Sequence, residues 1–200
     1  MKRIIIHWTA GTNTASALDK HHYHFIVEGN GNVVAGRYKP EDNESTATDY
    51  APHTRSLNTG SIGVSFAAMH GATERPFIAG KYPITKIQID EMVNLVADLC
   101  IRYGIEVFPW TVLTHAEVEG TLKVNQRGKW DVTWLPPVAW NLAPCVLALG
   151  RSSCLATVWG AVTGFCFGTR WTVAFILSPW YPLRLRKSTA RRGWLPPARP

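Results

Sequence analysis

Apolar positions follow two rhythms along the first 137 residues, and together they predict an α/β layer. Arg3–His7 carries three consecutive isoleucines and reads as a short strand buried on both faces. Thr9–Asp19 is rich in small and turn-forming residues, with room for one helical turn. His22–Glu28 alternates and is rich in β-formers. Asn30-Gly31 then offers a pair tolerant of positive φ for a tight hairpin, and Asn32–Ala35 is the returning strand. Pro40–Asn58 is polar and without period, a long surface loop of the kind that usually carries function in a compact domain. Ser61–Ala68 is another strand, in which Gly63 admits the close approach of a neighbour. The helical rhythm is strongest over Lys86–Tyr103, where Ile89, Met92, Val93, Val96, Leu99, Cys100 and Tyr103 share one face. Thr85 is its N-cap, Asp90 and Glu91 suit its early turns, and Gly104 is a left-handed stop. A strand over Thr111–Thr114 runs into His115. Strands alternating with helices predict a single mixed β-sheet flanked by helices, mixed because the hairpin imposes one antiparallel pair.

Charge divides the chain. Residues 1–137 hold 13 Lys and Arg against all 14 Asp and Glu, whereas residues 138–200 hold 8 basic residues, no acidic residue and no histidine. The formal charge of +7 therefore belongs to the tail, and the near-neutral first part lacks the basic surface that nucleic acid requires. The tail also contains five of the nine tryptophans and three of the four cysteines (Cys145, Cys154 and Cys166), without the close pairing of a structural zinc site. Its apolar stretches Ser152–Gly168 and Trp171–Pro182 are interrupted by Arg170, and each is shorter than the roughly 20 residues of a membrane span. Three readings stand side by side: a membrane-associated segment with contact through 152–182, an aberrant or irregular extension such as a shifted reading frame yields, and a folded accessory module. Met1-Lys2-Arg3 followed by only three isoleucines is not a signal peptide, so the expectation is synthesis in a host cytoplasm.

The candidate chemistry lies in residues 1–137. His7 and His115 each end a β-rich apolar run, the setting of side chains held on rigid strand ends at one rim of a sheet. With Asp131, in Lys129-Trp130-Asp131, they form a donor set for catalytic zinc that keeps a fourth position open for water. Taken singly, each has a plainer reading: a strand-end histidine is more often structural, Asp131 a turn carboxylate, Lys129 a surface charge and Tyr23 a strand aromatic. All seven histidines precede residue 137, so histidine content alone does not select among them. In a zinc hydrolase, a cation such as Lys129 near the metal stabilises the oxyanion formed from an amide carbonyl.

These residues occur in a recognisable order. Ile5-Ile6-His7-Trp8-Thr9-Ala10, Tyr23-His24-Phe25-Ile26-Val27, Val34-Ala35-Gly36-Arg37, Asn58-Thr59-Gly60-Ser61-Ile62-Gly63-Val64, Thr114-His115 and Lys129-Trp130-Asp131 resemble the motifs of type 2 N-acetylmuramoyl-L-alanine amidases. That family includes phage amidase lysozymes, bacterial anhydromuramyl-peptide amidases and peptidoglycan recognition proteins. The resemblance spans about residues 3–137. It implies Zn2+ held by His7, His115 and Asp131, the last at a position where members carry Cys or Asp. Tyr23 and Lys129 would be the catalytic pair, and His53, Asn58 and Arg37 would lie along the substrate groove. The implied activity is hydrolysis of the lactyl–L-Ala amide of peptidoglycan by a monomeric phage or prophage endolysin acting on the cell wall. The rival readings are a non-catalytic peptidoglycan-binding module and a membrane-disrupting protein driven by its cationic tail. The short His7–Tyr23 interval further implies that the helix many members carry there is reduced.

Overall fold

A computed structural model describes residues 1–136. The tail assigned above from position 138 onward lies outside the described residues. Five strands form one mixed sheet: β1 (Arg3–Trp8), β2 (Phe25–Val27), β3 (Val33–Ala35), β4 (Ser61–Phe66) and β5 (Val112–Thr114). They stand in the order β3-β2-β4-β1-β5, and only β2 and β3 pair antiparallel. Three helices accompany them: α1 (Ala17–His22), α2 (Lys86–Tyr103) and α3 (His115–Leu122).

Alternation along the strands sorts the two faces. Ile4, Ile6 and Trp8 of β1 join Ile62, Val64 and Phe66 of β4 against Ile89, Met92, Val96 and Leu99 of α2 in the main core. The opposite face carries Ile5 and Leu113 packed on Val118 of α3, and further along it turns polar. There β4 presents Ser61, Gly63 and Ser65, all buried, beside His7. One face thus holds the molecule together by apolar burial, and the other is left for polar groups.

The helix expected over Lys86–Tyr103 forms with those bounds, and Thr85 caps it by accepting from the Gln88 amide. Gly104 ends it in the left-handed region at φ 61°. Gln88 does more than close the cap. Its fully buried amide donates to the carbonyls of Val27 (2.9 Å) and Ala67 (3.0 Å), fastening the start of α2 to the ends of β2 and β4.

Three local expectations are corrected and one unforeseen element is added. His22 does not open a strand: Ser16 and Asp19 form a capping box that starts α1, which runs through His22. The hairpin turn does not use two positive-φ residues. Gly31 donates to the carbonyl of Glu28 at 2.8 Å, and of the Asn30-Gly31 pair only Gly31 (φ 86°) is left-handed, a type I turn followed by a glycine bulge. Pro40–Asn58 is not simply a surface loop. It opens with a 3-10 turn over Pro40–Glu44 and buries Asn43, Ala51, His53 and Thr54 against the polar face. His115 begins α3, an element without an apolar rhythm to announce it: His115 and Val118 are its buried residues. Among the described residues no helix is long and apolar enough to cross a membrane.

Candidate metal centre

β1 and β5 run parallel and adjacent, with Ile6 opposite Thr114. The next residue of each is a histidine, so the register itself delivers His7 and His115 to one rim. Their Nδ1 atoms face each other at 3.0 Å. Asp131 arrives from the segment after α3, and its Oδ2 lies 3.1 Å from His7 Nδ1 and 2.9 Å from His115 Nδ1. Packing aims this carboxylate: Trp130 meets Trp8 edge to face with centroids 4.8 Å apart, and these tryptophans are the chain neighbours of Asp131 and His7. All three donors are buried.

Burial lowers the His7 pKa to about 4 and so holds its imidazole neutral near pH 7, although the hydrogen bond with Asp131 pulls the other way. Burial also opposes ionisation of Asp131, but the adjoining polar imidazoles of His115 and His7 outweigh it and keep the carboxyl well below the usual range. A neutral imidazole and an ionised carboxylate are the forms that bind a divalent cation. The donor set fits zinc. Tetrahedral zinc with bonds of about 2.0–2.1 Å spaces its ligand atoms roughly 3.3 Å apart, close to the spacings seen here. Three protein donors are the complement of a catalytic rather than a structural zinc. Among the described residues this is the one group of His, Cys, Asp or Glu that places three ligand atoms near a common point.

A second layer supports the triad. The ring of His53 packs edge-on to His7 with centroids 5.4 Å apart. It fits there because Gly63 has no side chain: a Cβ at that position would lie 2.4 Å from the His53 ring. His53 Nε2 lies 3.3 Å from the Ser61 carbonyl and Nδ1 2.8 Å from Thr54 Oγ1, and Thr54 Oγ1 is in turn 3.4 Å from His7 Nε2. Behind His115, Gln126 Oε1 stands 3.0 Å from Nε2. His24, aligned with the family motif but not assigned a role, proves to be scaffold. Its Nδ1 accepts from the Gly63 amide and its Nε2 donates to Asn43 Oδ1. Asn43 Nδ2 donates to the carbonyls of Ala51 and Asn58, so this pair fixes the loop that carries His53 and Thr54.

A cavity of about 820 Å³ opens over His115 and Asp131 and is also lined by Tyr23, His53, Asn58 and Lys129. The Tyr23 ring lies 5.1 Å from that of His7. Burial, with the negative charges of Asp131 and Asp19, raises the Tyr23 pKa, so its hydroxyl stays a proton-bearing donor across the neutral range. Lys129 is exposed at the rim. Asn58 spends its side-chain oxygen inside the loop, accepting from the Thr54 amide at 2.8 Å. Arg37 is not among the lining residues. The Arg37 and Gly36 amides bond to the carbonyls of Lys20 and His24, which draws the chain behind α1 on the outer side of β2, and the Arg37 guanidinium rests over the Tyr38 ring. Thr54 and Gln126 escaped the sequence reading, since nothing in their own neighbourhood marks them.

The family model described as N-acetylmuramoyl-L-alanine amidase matches residues 1–131. No curated protein matches the chain. Among solved structures, the E. coli amidase AmiD in complex with anhydro-N-acetylmuramic acid-L-Ala-D-gamma-Glu-L-Lys shares 22% identity at a TM-score of 0.40, over 58% of this chain and 49% of that one. The chain thus spans about half the length of that protein. Drosophila peptidoglycan recognition protein SD shares 21% identity at a TM-score of 0.41, over 60% of this chain and 72% of that one. The Ph2119 endolysin of a Thermus scotoductus bacteriophage shares 16% at 0.41, over 57% and 71%. With the family model covering most of the described residues, including all three donors of the triad, the chain belongs to the N-acetylmuramoyl-L-alanine amidase family.

Proposed function

We propose that this protein is a zinc-dependent amidase that cleaves the bond between the lactyl group of N-acetylmuramic acid and the L-Ala of the stem peptide. The observation that carries the reading is the convergence of His7 Nδ1, His115 Nδ1 and Asp131 Oδ2 within 3.1 Å of one another at a cavity that also presents Tyr23 and Lys129. Bound zinc supplies Lewis acidity that makes water nucleophilic near neutral pH.

The side chains have separable tasks. His7, His115 and Asp131 would hold the ion. Tyr23, kept protonated by burial, donates a hydrogen bond to the carbonyl oxygen of the scissile amide. Lys129 offers a positive charge from the rim where negative charge develops on that oxygen. His53 lines the cavity wall and also backs His7 through their edge-on contact, so it would serve both the groove and the support of the site. Asn58 shapes the wall through the loop it closes.

A complete donor set with Tyr23 and Lys129 both at the cavity favours an enzyme over a binding module. The further proposals are action on the cell wall as a phage or prophage endolysin, as a monomer, with membrane contact through residues 152–182. The test is metal analysis of the full chain combined with digestion of a muramoyl-peptide. The expected result is one zinc per chain and release of peptide with a free L-Ala amino terminus, lost on chelation and restored by zinc. Cleavage that persists in rigorously metal-free protein overturns the scheme.

A further inference from the structure

We propose that Gln126 is the positioning residue that makes Nδ1, rather than Nε2, the metal-binding atom of His115. The inference rests on the zinc reading above. Gln126 is buried, and its amide nitrogen donates to two carbonyls, those of Arg55 and Val124, each at 3.1 Å. Carbonyls only accept, so the nitrogen end of this side chain is pinned there and the oxygen end faces His115. The opposite orientation would set the amide oxygen against two carbonyl oxygens with no hydrogen between them. The backbone amide of Gln126 is held as well, by Glu119 Oε2 at 3.0 Å, which ties the residue to α3.

The consequence passes to the imidazole. Gln126 Oε1 lies 3.0 Å from His115 Nε2 and accepts, so Nε2 carries the hydrogen. A neutral imidazole has one N–H. Nδ1 therefore keeps its lone pair, and this is the atom that faces His7 and Asp131. Without Gln126 the competing tautomer is attractive, because an Nδ1 hydrogen would point directly at the Asp131 carboxylate 2.9 Å away and occupy the place of a metal bond. The partner of His7 is less decisive. Thr54 Oγ1 can donate or accept and lies at 3.4 Å, and its direction is set only through His53. Gln126 also links two separate stretches of chain, since its second partner, Arg55, adjoins Thr54. The two imidazoles are thus backed from one loop.

The experiment compares the full chain with Gln126→Leu, which cannot accept, and Gln126→Glu, which accepts from Nε2 but loses both donors. Zinc affinity is read by competition with a chromophoric chelator, site geometry by the visible spectrum of the cobalt(II) form, and stability by urea unfolding of the metal-free proteins. Gln126→Leu should bind zinc about 10–100-fold more weakly. Gln126→Glu should stay within about tenfold of the wild-type zinc affinity and keep the wild-type cobalt spectrum, although both variants lose comparable metal-free stability. Wild-type zinc affinity in Gln126→Leu, or a loss in Gln126→Glu as large as in Gln126→Leu, overturns the proposal. Should Gln126→Leu fail to fold, the affinity and spectrum of Gln126→Glu decide by the same criterion, a loss of 10-fold or more or an altered spectrum counting against it. Absence of zinc binding by the wild type would instead remove the metalloenzyme reading, and this inference with it.

Discussion

His115 and Lys129 share a cavity but stand at different depths, and their substitutions should fail differently. His115→Ala deletes a ligand and is expected to abolish zinc retention after gel filtration, with activity falling in parallel. Lys129 is exposed and contacts none of the donors directly, so Lys129→Ala should keep a full equivalent of zinc while kcat drops about 10²–10³-fold, the range for loss of one oxyanion-stabilising group. Equal zinc loss in both variants would remove the distinction. Gly63 gives a third test at this scale. An added methyl meets the His53 ring at 2.4 Å on a buried strand, so Gly63→Ala should cost about 1–3 kcal/mol in urea unfolding. Because His53 backs Thr54 and Thr54 backs His7, zinc should also bind more weakly. The residues legible in the sequence were those whose own neighbours mark them, as His7 and His115 are marked by apolar runs. Asp131 was legible only through the family motif. Thr54 and Gln126 were not, because each is defined by a partner elsewhere: His7 is 47 positions from Thr54, and Arg55 is 71 from Gln126.

Elements were legible in proportion to the apolar surface they bury. α2 buries a full face against the sheet, so its rhythm, N-cap and stop were readable to the residue. α3 buries little and carries Gly120, and what holds it is Glu117 reaching back to the Thr114 amide at 2.8 Å together with the site it serves. The same contrast explains the 40–58 segment. It looked like a surface loop because its buried members are polar, and Asn43 and His53 have no period to betray them. Gln88 is the polar counterpart within α2. Gln88→Ala would remove the return half of the capping box and leave the Val27 and Ala67 carbonyls buried without this donor. The expected cost is about 2–3 kcal/mol, from one lost cap bond and two lost buried bonds. Chemical denaturation reads it directly, and a loss under about 0.5 kcal/mol would show that water replaces the amide. Since Gln88 lies in the core layer and not beside the triad, zinc affinity should stay unchanged.

At the scale of the whole molecule the polar face of the sheet acts as one body of neutral imidazoles. His53 packs against both His7 (5.4 Å) and His24 (5.6 Å), and burial lowers the pKa of all three: to about 4 for His7 and His24, and well below the usual value for His53. The sign of the effect on stability follows from where protons bind. Above pH 6.5 these groups are neutral in both states, and their contribution to stability is complete. Between pH 6.5 and about 4 the unfolded chain takes up protons that the folded chain refuses, so stability falls as the medium acidifies. Below that window the folded state protonates too, and the loss levels off. His24 alone accounts for about 3 kcal/mol across the window. It is the useful one to vary because it lies outside the metal triad and is scaffold. A glutamine can take the same two hydrogen bonds, accepting from the Gly63 amide and donating to Asn43. In metal-free protein, the slope of urea-unfolding free energy against pH between 6 and 5 should therefore fall by close to one proton in His24→Gln, while stability at pH 8 changes little. An unchanged slope would mean that His24 is already protonated in the fold. The Gly63 amide could then not be donating to its Nδ1, and the anchor of the 43–58 loop beneath the metal centre would have to be a charged one.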